Sequence, residues 1–314
     1  MDEYRMTKTK VTGEKAKNEY QQFIDDLVQT LQSMLGKDVC VSSRPVKQNN
    51  GISHMAVMIR EADRNITPMI YPQKEFEEYQ KNGDIEAAAR QILLRHRKLA
   101  PDGSLDPESF TDIRRAGSRI VCRIISRQKN ETLLEQVPHR DYLDLSVVYY
   151  WLSDDDADVN GAALIRNEYL ELWGITPQEL DRIAVENTRR LLPYQFVSMQ
   201  DMIMSLTGGS FVDPEEREVP LYVLTNAEGC FGAVWITDPG VLEDIAGRLH
   251  QDYYVLPSSV HECVVLPCGP ENDEMALQAM VREINSTQLR PEEVLADSVY
   301  RYSCRSKVLR VAAD

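Results

Sequence analysis

The chain has 314 residues, 43% of them apolar and 27% charged, so it can bury real cores and a chain disordered throughout is excluded. Fifty acidic against 35 basic residues leave a net charge of −15, a field that repels phosphate backbones and argues against nucleic acid as a partner. No apolar run reaches the roughly 18 to 20 residues of a membrane helix, so no membrane partner is expected either.

The opening residues have no apolar signal-peptide core and are expected to be a polar tail leading into a helix. Over residues 14–36 the spacing of Tyr20, Phe23, Ile24, Leu27, Leu31, Met34 and Leu35 predicts an amphipathic helix stopped by Gly36. Strands are predicted over 39–43, 52–60 and 66–71, with Asn49, Asn50 and Gly51 turning the first into the second. Helices follow over 73–80 and 84–99. Residues 100–107, with two prolines, a glycine and two aspartates, mark a boundary between lobes 14–105 and 106–314.

The second lobe begins with a short helix and a strand over 118–127. Residues 142–152, β-branched and aromatic, predict the strongest strand, and 161–166 its hairpin partner. Thr176, Pro177 and Glu179 spell a capping box for a helix ending before Pro193. Residues 208–220 read as a loop. Strands are predicted over 221–225 and 231–237 with a turn at Glu228 and Gly229, then a helix capped by Asp238 and opened by Pro239. Strands over 253–256 and 260–266, a helix over 273–285 and a hairpin over 299–311 complete the chain. Hairpins backed by helices predict an α+β fold with antiparallel sheets. GAALIRN at 161–167 echoes GAVWITD at 232–238, which raises a duplicated β-β-α unit as an expectation.

Two motifs carry chemistry. DADVNG, residues 156–161, fits the first half of a calcium loop, yet the twelfth position is Asn167 rather than glutamate and a strand precedes it. The competing reading is a hairpin tip turned by Asn160 and Gly161. The second motif, residues 257–268, gathers Ser259, His261, Glu262, Cys263 and Cys268. As catalytic candidates Ser259, His261 and Glu262 would supply nucleophile and base, although on a regular strand Ser259 and His261 stand about 7 Å apart. As metal candidates His261, Cys263 and Cys268 would need a fourth ligand such as Cys304, at a spacing that matches no standard zinc knuckle. His139 with Asp141 is a weaker pair. No cofactor motif is present, and none is expected. The six cysteines, Cys40, Cys122, Cys230, Cys263, Cys268 and Cys304, lie in strand-like segments and predict buried, reduced thiols of a cytoplasmic protein.

YVLTN at 222–226, GAVWITDPGVLEDIA after it, DYYVLPSSVHE at 252–262 and EEVLADSVYRY at 292–302 resemble a domain-of-unknown-function family from anaerobic Firmicutes, from about residue 20 onward. The DLSVVYYWL, LELWG and TPQELDRIAVENT segments are more distantly similar to the uncharacterised YtpQ-like family. The resemblance implies a soluble bacterial α+β protein and assigns no activity. The expected function is a non-enzymatic, cytoplasmic protein-interaction or regulatory module with a protein partner; the rival is a hydrolase or metal enzyme centred on His261.

Overall fold

The computed structural model describes residues 2–62, 67–99, 108–152, 162–207 and 220–312. The chain forms two compact units, residues 1–48 with 53–107 and residues 49–52 with 108–314. All strand pairings among the described residues are antiparallel, and the fold is α+β.

The first unit contains α1 (Asp2–Leu35), β1 (Val39–Lys47), β2 (Ser53–Glu61), β3 (Met69–Ile70), α2 (Gln73–Asn82) and α3 (Ile85–Leu99). The polar start is helical from Asp2 rather than a tail, in keeping with its lysines, glutamates and alanine, all good helix formers. Phe23, Ile24, Leu27 and Leu31 of α1 pack with Val41, Val57, Ile59, Ile70 and Ile92 into one core, which the spacing of apolar residues on α1 requires. Gly36 takes φ 81° and ends α1, and Gln32 then ties the helix end to β1 by donating to the Val39 carbonyl and accepting from the Val41 N–H. Glu75 is buried against Arg95 at 3.0 Å.

The second unit holds two sheets. In the first, β6 (Leu145–Leu152) is central. β4 (Ile120–Ser126) covers one edge, while β5 (His139–Tyr142) and β7 (Ala162–Leu164) share the other end to end. Short helices α4 (Glu108–Thr111), α5 (Ile113–Ala116) and α6 (Glu131–Leu134) surround it, followed by α7 (Asn167–Trp173) and α8 (Pro177–Leu191). Helix α8 starts at the expected capping box, with Thr176 and Glu179 bonded reciprocally. It packs on β4, where Thr188 accepts the Cys122 N–H at 2.8 Å and Asn187 donates to the Gly117 and Ile120 carbonyls.

The second sheet runs β13-β12-β10-β11-β9-β8. Its strands are β8 (Tyr194–Ser198), β9 (Tyr222–Asn226), β10 (Tyr253–Pro257), β11 (Cys263–Pro267), β12 (Tyr300–Ser303) and β13 (Val308–Val311), with α9 (Met199–Thr207), α10 (Pro239–Leu249) and α11 (Glu274–Thr287) between them. Tyr300 and Ser298 both donate to Asp144, at 2.8 and 2.7 Å, which links this sheet to the β5–β6 turn.

One expected strand is absent. Residues 232–237 form a 3-10 helix. The Asn226 side chain accepts the N–H groups of Glu228 and Cys230 and donates to the Cys230 carbonyl, which turns the chain tightly. Phe231 then adopts φ 58°, and Gly232 lies so close to the backbone that a Cβ would stand 2.6 Å from the His261 carbonyl oxygen. The chain is thereby steered away from β9, whose free edge is taken by β8 instead. The echo between residues 161–167 and 232–238 is therefore not a repeated β-β-α unit: β7 is a hairpin strand, and its counterpart is a turn of helix. The segments 100–107, 153–161 and 208–219, including the calcium-like motif, lie outside the described residues.

Candidate functional site

The segment 257–268 spans the end of β10, a turn and β11. Ser259 is buried; its N–H donates to the Glu262 carbonyl and its Oγ accepts the His261 backbone N–H at 3.0 Å. The hydroxyl closes a turn, and no hydrogen bond joins it to the His261 ring. The ring's Nδ1 accepts the Phe231 N–H at 3.4 Å, and the two rings stack with centroids 6.3 Å apart. Burial, helped by the nearby Arg123 charge, holds the imidazole below its usual pKa, while burial raises that of Glu262. Cys263 is wholly buried and its thiol is pushed far up by burial. Cys268 is half-buried and Cys304 exposed.

Among the described residues no three His, Cys, Asp or Glu side chains gather as a metal-holding group, so His261, Cys263 and Cys268 are not brought together as ligands. His139 bonds the Val137 carbonyl, and Asp141 accepts from Ser146 and pairs with Arg127, so their hydrogen bonds go elsewhere although the charge of His139 still acts on Asp141. The thiols are also less uniform than expected: Cys122 and Cys263 are buried, whereas Cys40 and Cys304 are exposed.

The structure assembles a different site in the second unit. A cleft of about 320 Å³ lies between α8 and the start of α10. Its polar wall is Arg140 of β5 and Asp181 of α8, joined from Nε to Oδ1 at 3.0 Å. Tyr149, directly beside Cys122 in the β4–β6 register, donates its hydroxyl to the same Oδ1 at 2.9 Å. Burial, then the charge of Asp181, raises the Tyr149 pKa steeply, so it stays a neutral donor. Cys122 lines the floor; burial pushes its thiol up to about 12, which removes it as a nucleophile at neutral pH.

Val185, Val234 and Trp235 supply apolar wall, with the indole N–H fixed on the Leu192 carbonyl at 3.1 Å. A second ion pair borders the cleft. Asp238 caps α10 through Oδ1 and receives Arg189 Nε on Oδ2 at 2.9 Å. Arg189, Asp238 and Trp235 also line an adjoining hollow of about 420 Å³.

Comparison with known proteins places the chain. The sequence profile of a family of unknown function, DUF5688, matches residues 20–304. The chain belongs to that family. No curated protein and no solved structure matches it. Among the described residues no helix is long and apolar enough to cross a membrane.

Of the cleft residues, the sequence reading singled out Cys122, as a buried thiol, and Asp238 and Pro239, as the opening of a helix. The signal for the rest was weak: Asp181 and Arg189 are two ordinary charges on one amphipathic helix, eight residues apart. Arg140 sits inside VPHRD, between His139 and Asp141, and bonds Asp181 of α8.

Proposed function

We propose that this protein is a non-catalytic regulatory module acting through a protein partner, with the α8–α10 cleft of its second unit as a ligand-recognition site. The observation that carries the reading is the state of the cleft's polar groups. Arg140 and Asp181 are fixed by each other and by Tyr149, yet neither terminal nitrogen of Arg140 donates a hydrogen bond and Asp181 Oδ2 accepts none among the described residues. Fixed groups with unspent capacity at a concave, partly apolar wall suit recognition. The side chains suited to catalysis are otherwise engaged: Cys122 is a neutral thiol, Ser259 closes a turn and His261 Nδ1 is taken by a backbone N–H. Six free thiols, two of them exposed, support a reducing compartment, in this reading the bacterial cytoplasm.

The test pairs turnover with binding. Purified protein is assayed on ester, amide and phosphoester substrates beside Cys122→Ala and His261→Ala. Its melting temperature is also followed with and without a small-molecule cell extract. The expected result is no turnover that either substitution abolishes, and an extract-induced rise in Tm that Arg140→Met loses. Turnover that depends on Cys122 or His261 would overturn the reading.

A further inference from the structure

The cleft's chemistry narrows what it can hold. Its charged lining is Arg140, Asp181, Arg189 and Asp238, two cations and two anions, so the wall favours a ligand of zero net charge. The pairs are not equivalent. Asp238 spends Oδ1 on the helix cap and Oδ2 on Arg189, and is saturated. Asp181 and Arg140 are half-spent. Asp181 Oδ1 takes both Arg140 Nε and the Tyr149 hydroxyl, leaving Oδ2; Arg140 uses only Nε, leaving both terminal amino groups.

The free groups belong to one ion pair in the cleft wall: a forked donor that matches a carboxylate, and a carboxylate oxygen that matches an ammonium. Tyr149 holds Asp181 in place and stays protonated, so the acceptor oxygen keeps its orientation across the neutral range. Beyond them the wall turns apolar through Val185, Val234 and the immobilised face of Trp235. At about 320 Å³ the cavity sits at the small end of ligand sites, room for one compact molecule rather than a dinucleotide or a folded peptide.

We infer that the cleft binds a free α-amino acid with an apolar side chain. Its carboxylate lies on the terminal nitrogens of Arg140, its ammonium on Asp181 Oδ2, and its side chain against Val185, Val234 and Trp235. This rests on the reading of the cleft as a recognition site and names the ligand class for it. Binding completes hydrogen bonds that the fold leaves open at both charged groups, and such charge-assisted bonds in a partly desolvated site discriminate strongly against ligands lacking one of them.

The experiment uses the full chain in calorimetric titration with L-leucine and L-methionine, beside analogues that remove one charge at a time: the methyl ester, the N-acetyl acid and the decarboxylated amine. Tryptophan fluorescence, to which Trp235 contributes beside Trp151 and Trp173, gives a second readout. The expected result is binding of the intact amino acids, with each single-charge analogue at least about tenfold weaker. Asp181→Asn, which can still accept the Tyr149 hydroxyl, should lose the preference for the ammonium. Arg140→Lys, which keeps the charge but not the fork, should weaken the carboxylate contact. The analogue series needs no altered protein, so poor folding of a variant does not blunt it. Absence of binding by apolar amino acids at millimolar concentration, or analogues that bind as well as the parent, would overturn the inference. If that happens while the extract-induced Tm rise persists and still depends on Arg140, the recognition reading stands and only the ligand class falls.

Discussion

Arg123 and His261 meet at Phe231, and each has an energetic consequence that can be measured. Arg123 lies 5.0 Å from the Phe231 ring centre and 5.3 Å from that of Tyr150, donates one long bond to the Tyr150 hydroxyl, and keeps its buried Nε without an acceptor. Among the described residues it pairs with no carboxylate. The side chain is half-buried, and the cost of its one buried, unpartnered N–H at least offsets what two aromatic faces return. Arg123→Met should keep the packing and remove the charge, leaving stability unchanged or raised by up to about 1 kcal/mol in urea denaturation. Gly232→Ala should do the reverse. Its Cβ meets backbone atoms at 2.6 and 2.7 Å, which cannot yield as a flexible side chain would, so a loss of about 2 to 3 kcal/mol is expected at constant m-value.

His261 adds a pH dependence. Arg123, Arg290 and Glu293 are the charges that act on it, but burial dominates and keeps the folded pKa below 6.5. The unfolded chain takes up that proton first, so stability falls as pH drops below 6.5 toward the lower, folded value. Glu262 has the opposite sign: its folded pKa lies above 4.5, so acidification through that range favours the fold. His261→Asn should flatten the loss just below pH 6.5 and leave the Glu262 contribution at lower pH.

Helix α8 links sequence-readable structure to the cleft. Its capping box was legible because Thr176, Pro177 and Glu179 satisfy the first N–H groups by local chemistry alone. Thr176→Ala should cost about 1 kcal/mol and increase hydrogen exchange over the first turn, which adjoins Asp181. Most strands were legible for the same local reason: alternating or β-branched runs bounded by turn residues, as in β1, β2, β6 and β10. The failures were decided by distant partners. GAVWIT has strand composition, yet the crowding of Gly232 by His261 and Thr225 makes it a 3-10 helix. YQFVS after Pro193 gave little signal, because β8 exists through its pairing with β9. The cleft was illegible for a related reason. Arg140, Tyr149, Asp181 and Trp235 come from four separate elements, and only the packing of α8 on β4 and the turn at 226–232 brings them together. Short motifs such as SSVHEC are visible precursors of chemistry only when their side chains are left unspent, and here the backbone consumes them.

For the molecule as a whole, the net charge of −15 and the six free thiols set what can be tested without knowing a ligand. The thiols form a graded series. Cys40 and Cys304 are exposed, Cys230 and Cys268 half-buried, and Cys122 and Cys263 buried. Thiol reagents attack the thiolate, and burial pushes both buried thiols far from ionisation, so their reaction requires opening of the structure around them. Two cysteines should therefore label promptly in native buffer, two slowly, and two only through unfolding. The last pair is informative because Cys122 belongs to the four-stranded sheet and Cys263 to the six-stranded one. The Asp144 bonds to Ser298 and Tyr300 tie the β5–β6 turn to the six-stranded sheet, while the Tyr142 bond to the Ile236 carbonyl and the Trp235 bond to the Leu192 carbonyl fasten the 3-10 helix to β5 and to the end of α8. If those ties make the second unit one cooperative body, Cys122 and Cys263 should show the same opening free energy across urea concentrations, with the same slope as unfolding of the unit. Protection that is several-fold lower at one of them, with a shallower slope, would mean that its sheet opens alone; were that one Cys122, the cleft beside it would rest on the less stable half.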